Sequence, residues 1–409
     1  MIVQAELRGQ PATRPAPEEP EEPEEPEEPE EPTNPDILPA MPAQPSFTLG
    51  IEEEFQVVDP STRELKSHIQ ELFAEGEKRL KEEIKREMHD AVIEVGTPIC
   101  RDIAHARREI TRLRREIITL TKENGLCIAA AGTHPISHWS NVPITDAERY
   151  DRLVYELQML ARANLIFGLH VHVAVEDLET RIQLMNAASY FLPHIFALSV
   201  NSPFWCGQNT GWKSYRAKVF ERFPRTGLPD HFERLSDYDN YVETLVNTNT
   251  IDNPKKIWWD VRPHPFFPTL EYRICDVPMR IDETICFAAL FQALTVKLYR
   301  IHSRNMTWRI YRKSLLNENK QRAARFGTGG KLIDFGRGTE VQYTDLLDEL
   351  LEFIDDVVDE LGSRQEVEYA REIVRRGTGA DRQLAVFGER GDLRDVVDYI
   401  VKETEHGVI

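Results

Sequence analysis

Cysteine is scarce in this 409-residue sequence, and the five that occur, Cys100, Cys127, Cys206, Cys275 and Cys286, are odd in number and scattered. No CxxC pair is present, so the spacing supports neither a zinc knuckle nor a disulfide framework. Reduced, mostly buried thiols are expected instead. Long apolar runs are missing too: none approaches the roughly 20 residues of a membrane span. The opening stretch, MIVQAELRGQ, has neither the basic patch nor the apolar run of a signal peptide, which points to a cytoplasmic protein with no membrane partner. Positive charge is in deficit. The net charge is −19; residues 1–45 hold twelve acids against Arg8 and Arg14, a net of −10, which leaves −9 for the rest. Neither part carries the basic footprint of a nucleic-acid binder. An acidic body that handles anionic substrates needs metal ions or local arginines to offset its own field. Familiar catalytic spacings are absent as well: GxxxxGK[ST], GxSxG, HExxH and the protein-kinase set do not occur.

What is there begins with a tail. Residues 17–32 read PEEPEEPEEPEEPEEP; proline at every third position removes donors and fixes φ, while the glutamates repel one another. Residues 1–45 are therefore expected to form a disordered, acidic, extended tail, and residues 46–409 a single catalytic domain. SFTLGIEEEFQVVD alternates as a strand does, with Phe47, Leu49, Ile51, Phe55 and Val57 on one face. Residues 101–123 carry Ile103, Ile110, Leu113, Ile117 and Leu120 at helical spacing and stop at Gly125. Thr145 and Glu148 stand in capping-box register for another helix. A long apolar helix is expected from about Leu178 to Val200, and a further one from Asp282 to about Arg304. From Tyr311 onward the pattern is mainly helical, and RFGTGGKLIDF is read as a turn. No solenoid-length repeat is visible. Strands separated by helices, each strand with one polar face, predict an α+β domain on a largely antiparallel, one-sided sheet.

Four strand candidates repeat one design. Because neighbouring strand residues point to opposite faces, Glu52 and Glu54 share a face and Glu53 points to the apolar side. In DAVIEVGTP, Glu94 opposes Ile93 and Val95. In LHVHVAV, His170 and His172 oppose Leu169, Val171, Val173 and Val175. In TLEYRIC, Glu271 and Arg273 oppose Leu270, Tyr272 and Ile274. Side by side, such strands make a sheet with one apolar face and one face of carboxylate, imidazole and guanidinium. Each pair alone reads as a solvated face or a salt bridge; the conjunction points to a site for Mg²⁺ or Mn²⁺, since crowded carboxylates need cations and these donors suit hard ions. Glu53 is expected to meet the sheet margin, an arginine or a subunit contact, without a catalytic role.

With these residues gathered, the chain resembles the glutamate–cysteine ligase type 2 family in its bacterial carboxylate–amine ligase branch. The resemblance is carried, in order, by FTLGIEEEFQVVDP, IEVGTPICRDI, AAGTHP, ERYDRL, FGLHVHV, ALSVNSPFW, WWDVRPHPFFPTLEYRICDVP and AARFG. It covers roughly Phe47 to Ile333. It implies a glutamine synthetase-like catalytic fold: a curved, largely antiparallel sheet forming a funnel-shaped active site, with helices packed outside. It places Glu52, Glu54, Glu94, His170 and Glu271 at metal-ligand positions and His172 beside the nucleotide. Arg273 resembles an arginine on the transferring phosphate, and Arg216, in SYR, one that holds a substrate carboxylate. Asp90 and Glu87 both stand as a further acid near Glu94. A homodimer is usual for such proteins.

The implied chemistry is ATP-dependent ligation of an amino-acid carboxylate, the glutamate side chain foremost, to an amine such as cysteine. Phosphorylation of the carboxylate supplies a leaving group that oxide cannot provide, so positioning and charge neutralisation suffice without a nucleophilic side chain. Two other classes compete: a metal-dependent amidohydrolase on a similar sheet, which needs no Arg273, and a non-catalytic binding protein.

Overall fold

Seven strands, paired antiparallel throughout, form the main sheet of the computed structural model, which describes residues 44–67 and 69–408. They are β1 (Leu49–Val58), β2 (Ile84–Arg86), β3 (Val92–Gly96), β4 (Cys127–Ala129), β5 (Leu169–Ala174), β6 (Val261–Pro263) and β7 (Thr269–Tyr272). Their spatial order is β6, β7, β5, β1, β3, β2, and β4 pairs with the last three residues of β1. The helices that position the site are α1 (Ile103–Glu123), α2 (Glu148–Leu157), α3 (Leu178–Ala188), α4 (Leu192–Ser199), α5 (Tyr215–Phe220) and α6 (Ile281–His302). From Gln44 onward the described chain belongs to one compact unit. Almost all of the residues 1–45 expected to form the tail lie outside the described residues.

Period-two alternation sets which side of the sheet is greasy. Leu49, Ile51, Glu53, Phe55 and Val57 of β1 are at most 1% exposed, as are Leu169, Val171 and Val173 of β5. Helices α1 and α6 pack against β1, and α6 also against β5. Asp102 caps α1 by accepting from His105 N, and Gly125 follows its end at φ +69, as the sequence predicts. Helix α6 is, by length and composition, apolar enough to cross a membrane, although Asp282, Glu283 and Gln292 interrupt its apolar run. Its most apolar stretch is 78% buried as the sheet's cover.

Glu53 occupies the apolar face and is fully buried. Its partner is Arg114 of α1, also fully buried, with Nε donating to Oε2 at 2.8 Å and Nη2 to Oε1 at 2.5 Å. Thr284 of α6 donates its hydroxyl to the same Oε1 at 2.5 Å, and Arg114 Nη1 donates to the Met279 carbonyl at 2.7 Å. One ion pair thus ties β1, α1, the Pro278–Met279 turn and α6 together.

Local expectations failed in three places. The single helix over Leu178–Val200 is two, α3 and α4, because Pro193 has no N–H to donate and restarts the helix from its first turn. Helix α2 begins without the capping box: Ala147 is its cap, and the Thr145 hydroxyl instead donates to the Glu87 carbonyl at 2.6 Å. The expected turn after Phe326 contains a 3₁₀ turn and then the first strand of a hairpin, Lys331–Asp334 with Thr339–Gln342. Around it, helices Lys313–Phe326, Tyr343–Val358, Arg364–Arg376, Gly379–Arg390 and Leu393–Glu405 make the C-terminal part mainly helical.

Arg114→Met leaves the Glu53 carboxylate buried without its cation, and should destabilise the fold by about 3–5 kcal/mol in denaturant unfolding. A loss under about 1 kcal/mol would show that the pair does not hold β1 in place.

Candidate active site

Register determines which polar residues meet. Glu52 stands between His170 of β5 and Gly96 of β3; Glu54 stands opposite Glu94, which is itself opposite Lys85 of β2. On the other side, Glu271 of β7 lies between His172 of β5 and Arg262 of β6. Directly opposed residues share a face, so these side chains line one surface. The structure therefore brings Glu52, Glu54, Glu94, His170, His172 and Glu271 together. Arg273, one residue beyond β7, joins them by donating through Nη1 to Glu271 Oε1.

Among the described residues, two groups have metal-binding geometry. Ligand atoms of Glu52, His172 and Glu271 lie within 4.8 Å of one another, and so do those of Glu54, Glu87 and Glu94. The first group takes the His172 ring where the resemblance implied His170; His170 Nδ1 instead sits 3.2 Å from Glu52 Oε2. The second takes Glu87 rather than Asp90. His172 donates or accepts at Nδ1 with Thr269 Oγ1 at 3.0 Å, while its Nε2, 3.7 Å from Glu52 Oε2, is buried with no hydrogen bond. An orphaned imidazole nitrogen between two carboxylates, and a carboxylate triad beside it, fit hard divalent cations.

Resident cations offset part of the charge. Lys85 Nζ lies 2.7 Å from Glu52 Oε1 and 2.8 Å from Glu94 Oε1. Arg262 donates from Nε to Glu271 Oε2 at 2.6 Å and is anchored by the Ile257 carbonyl at 2.6 Å. Sequence reading missed Lys85 and Arg262. Both sit on three-residue strands, too short for periodicity to show; the one available signal was that Lys85 and Glu87 are two apart, as strand partners on one face are.

The two halves of the face differ in ionisation. Burial would raise Glu271, yet Arg262 and then Arg273 hold it well below the usual carboxylate range. Against the effect of burial, His170 and His172 likewise hold Glu52 well below that range. Burial, reinforced by the charge of Arg273, pulls His170 down to about 4, so its ring is neutral at pH 7. Against the pull of burial, Glu52 and Glu271 raise His172. In the other half, burial and then the neighbouring Glu94 push Glu54 from an ordinary 4.5 up to about 7. Burial and the Glu52 and Glu87 charges push Glu94 well above the usual range, and burial with Glu54 raises Glu87. This triad cannot ionise fully without added positive charge.

Arg216, in the first turn of α5, is 4% exposed. Its Nη1 donates to the Ile274 carbonyl and its Nη2 to the Arg273 carbonyl, both at 3.3 Å. Gly168 permits this approach, since a Cβ there would sit 2.3 Å from Nη2. The Nε atoms of Arg216 and Arg273 are buried without partners. Both arginines line a cavity of about 200 Å³ that Glu54, Glu87 and His170 also reach.

The raised Glu54 pKa has a definite sign. Between pH 4.5 and about 7 the folded chain keeps a proton that the unfolded chain has released, so stability falls as pH rises through that window. In EDTA the melting temperature should therefore decline from about pH 5 to about pH 7.5, less steeply for Glu54→Gln, and Mg²⁺ should restore it. An equal decline in both proteins would remove Glu54 from this account.

Residues 48–399 match the family described as Glutamate-cysteine ligase family 2. A protein of Solibacter usitatus named "Putative glutamate--cysteine ligase 2" is 58% identical over 364 residues, covering 89% of this chain and 94% of that one. Among solved structures, the fold is similar to glutamate–cysteine ligase from Francisella tularensis in complex with AMP, with a TM-score of 0.64 and 12% identity, covering 88% of this chain and 90% of that one. It is similar also to a bifunctional glutathione synthetase from Pasteurella multocida, with a TM-score of 0.66 and 14% identity, covering 88% of this chain and 52% of that one. The mixed helix-and-sheet fold with its antiparallel sheet is therefore similar to the fold of these two proteins. The chain belongs to glutamate-cysteine ligase family 2 and is an ATP-dependent carboxylate–amine ligase.

Proposed function

We propose that the chain joins the side-chain carboxylate of glutamate, or of a closely related amino acid, to an amine such as cysteine through an acyl phosphate. One observation carries this reading: two three-residue ligand groups share a sheet face with two buried guanidinium groups whose Nε atoms lack partners. Glu52 and Glu271, with His170 and His172 beside them, would hold one Mg²⁺ or Mn²⁺ ion, and Glu54, Glu87 and Glu94 another. The resemblance gave His172 to the nucleotide; its free Nε2 favours the ion. Ions held there would supply positive charge to offset the phosphates during phosphoryl transfer. In this reading the charged face is the wall of a funnel that receives the triphosphate.

The protein's own residues then have distinct tasks. A carboxylate oxygen attacks the γ-phosphorus, the bond to the ADP oxygen breaks, and ADP leaves. Arg273 presents a fixed cation to the moving phosphoryl group, held in place by Glu271. Arg216 orients the acid by its α-carboxylate, braced by two backbone carbonyls. Lys85 keeps Glu52 and Glu94 from repelling each other. All five cysteines are free thiols, in keeping with the reducing cytoplasm.

With ATP, Mg²⁺ and glutamate, steady-state ADP release should require an amine; amide cleavage without nucleotide would support the hydrolase instead. Arg273→Lys should keep ATP affinity within a few-fold and lower kcat by about 10²–10³-fold. Normal turnover by that variant would take Arg273 out of the mechanism.

A further inference from the structure

The cavity beside the charged groups has two unlike ends. Glu54, Glu87, His170, Arg216 and Arg273 form one, and the cluster of Met88, Tyr150, Leu153, Phe220, Phe223 and Trp258 forms the other, with His89 and Asn164 also in the lining. The apolar end is not an extension of the main core. Met88, Tyr150 and Phe223 belong to a separate buried cluster, against which Leu153, Phe220 and Trp258 pack only partly buried. The rings of Phe223 and Trp258 meet edge to face at 5.7 Å, and Phe220 lies 6.1 Å from Phe223. The Arg216 guanidinium carbon is 5.9 Å from the Phe220 ring, so the polar end passes directly into the aromatic one.

A glutamate held between guanidinium groups and cations is polar at both ends and leaves such a wall unused. Cysteine is too small to cover it. Resting on the ligase reading above, we infer that the amine substrate carries an apolar group of aromatic size, which seats against Tyr150, Leu153, Phe220, Phe223 and Trp258. The amine sheds one proton to water on entering, because apolar surroundings favour its neutral form. Its nitrogen lone pair attacks the acyl carbon, the carbon–oxygen bond to phosphate breaks, and a second N–H proton leaves with the phosphate. The products are the amide and inorganic phosphate.

Amine-dependent ADP release with glutamate and ATP, measured for phenethylamine, ethylamine and cysteine, tests this. Phenethylamine should exceed both others in kcat/KM by at least roughly tenfold. Phe220→Ala, Trp258→Ala and the milder Phe220→Leu should each shrink the phenethylamine-to-ethylamine ratio. Equal use of phenethylamine and ethylamine, faster use of cysteine, or a ratio unmoved in folded variants overturns the inference. If no amine supports ADP release, the ligase reading fails, and the pocket is judged by calorimetric titration of phenethylamine into the intact protein. Binding weakened by Phe220→Leu upholds the pocket; no binding to the unaltered chain refutes it.

Discussion

The phase of a strand is set by whichever residue has least freedom to turn over, and in β1 that residue is Glu53. Its carboxylate has three charge-assisted or hydroxyl hydrogen bonds on the buried side of the sheet, from Arg114 and Thr284. Slipping β1 by one residue would expel that ion pair and bury Glu52 and Glu54 among aliphatic side chains. The acid that does no chemistry thereby decides that its two neighbours face the cavity. Because Arg114 also binds the carbonyls of Pro278 and Met279, the same pair fixes the turn that follows β7 and Arg273.

Crowding carboxylates on one face is costly, and the protein meets the cost unevenly. Glu271 is flanked by Arg262 and Arg273 and stays ionised. Glu94 has Lys85, and Glu54 feels Arg216 and Arg273, but burial and their mutual repulsion outweigh these cations and drive both toward protonation. A divalent cation therefore finds one half already charged and gains in the other by displacing protons, which makes occupancy of the second half the more pH-sensitive. Fixed arginines could have neutralised both halves. On the proposed reading, leaving one half short of positive charge reserves it for ions that would arrive with the nucleotide.

Much of this arrangement was legible in the sequence because it is written in alternation. β1 and β5 carry acids or histidines two residues apart, and β3 and β7 one acid each, against apolar partners, and the ladder register then fixes which residues meet. Arg216 is different in kind. Nothing in SYR shows that Gly168 clears space for its guanidinium, since the two are brought together only by the tertiary fold. Lys85 and Arg262 lie on strands too short to show a period, and the choice of Glu87 over Asp90 depends on where β2 ends. The break at Pro193 and the diversion of Thr145 to the Glu87 carbonyl were local signals overruled, respectively, by a missing N–H and by a tertiary hydrogen bond. The aromatic wall draws on α2, on α5 and the turn after it, and on Trp258, three segments with no common pattern.

Joining a charged end to an aromatic end in one cavity answers a requirement of acyl phosphate chemistry. The activated carbonyl reacts with any nucleophile, and water is the most abundant. A site that was polar throughout would hold water beside the acyl carbon and waste the phosphoryl group as hydrolysis. On the proposed reading, an apolar wall on the amine's side leaves water few partners there, while the opposite side keeps the ligands that the phosphates would need. The same wall favours the uncharged amine, the only form with a lone pair to give. Charge on one side and dryness on the other are thus two parts of a single solution, with Arg216 and Phe220 in contact where they join.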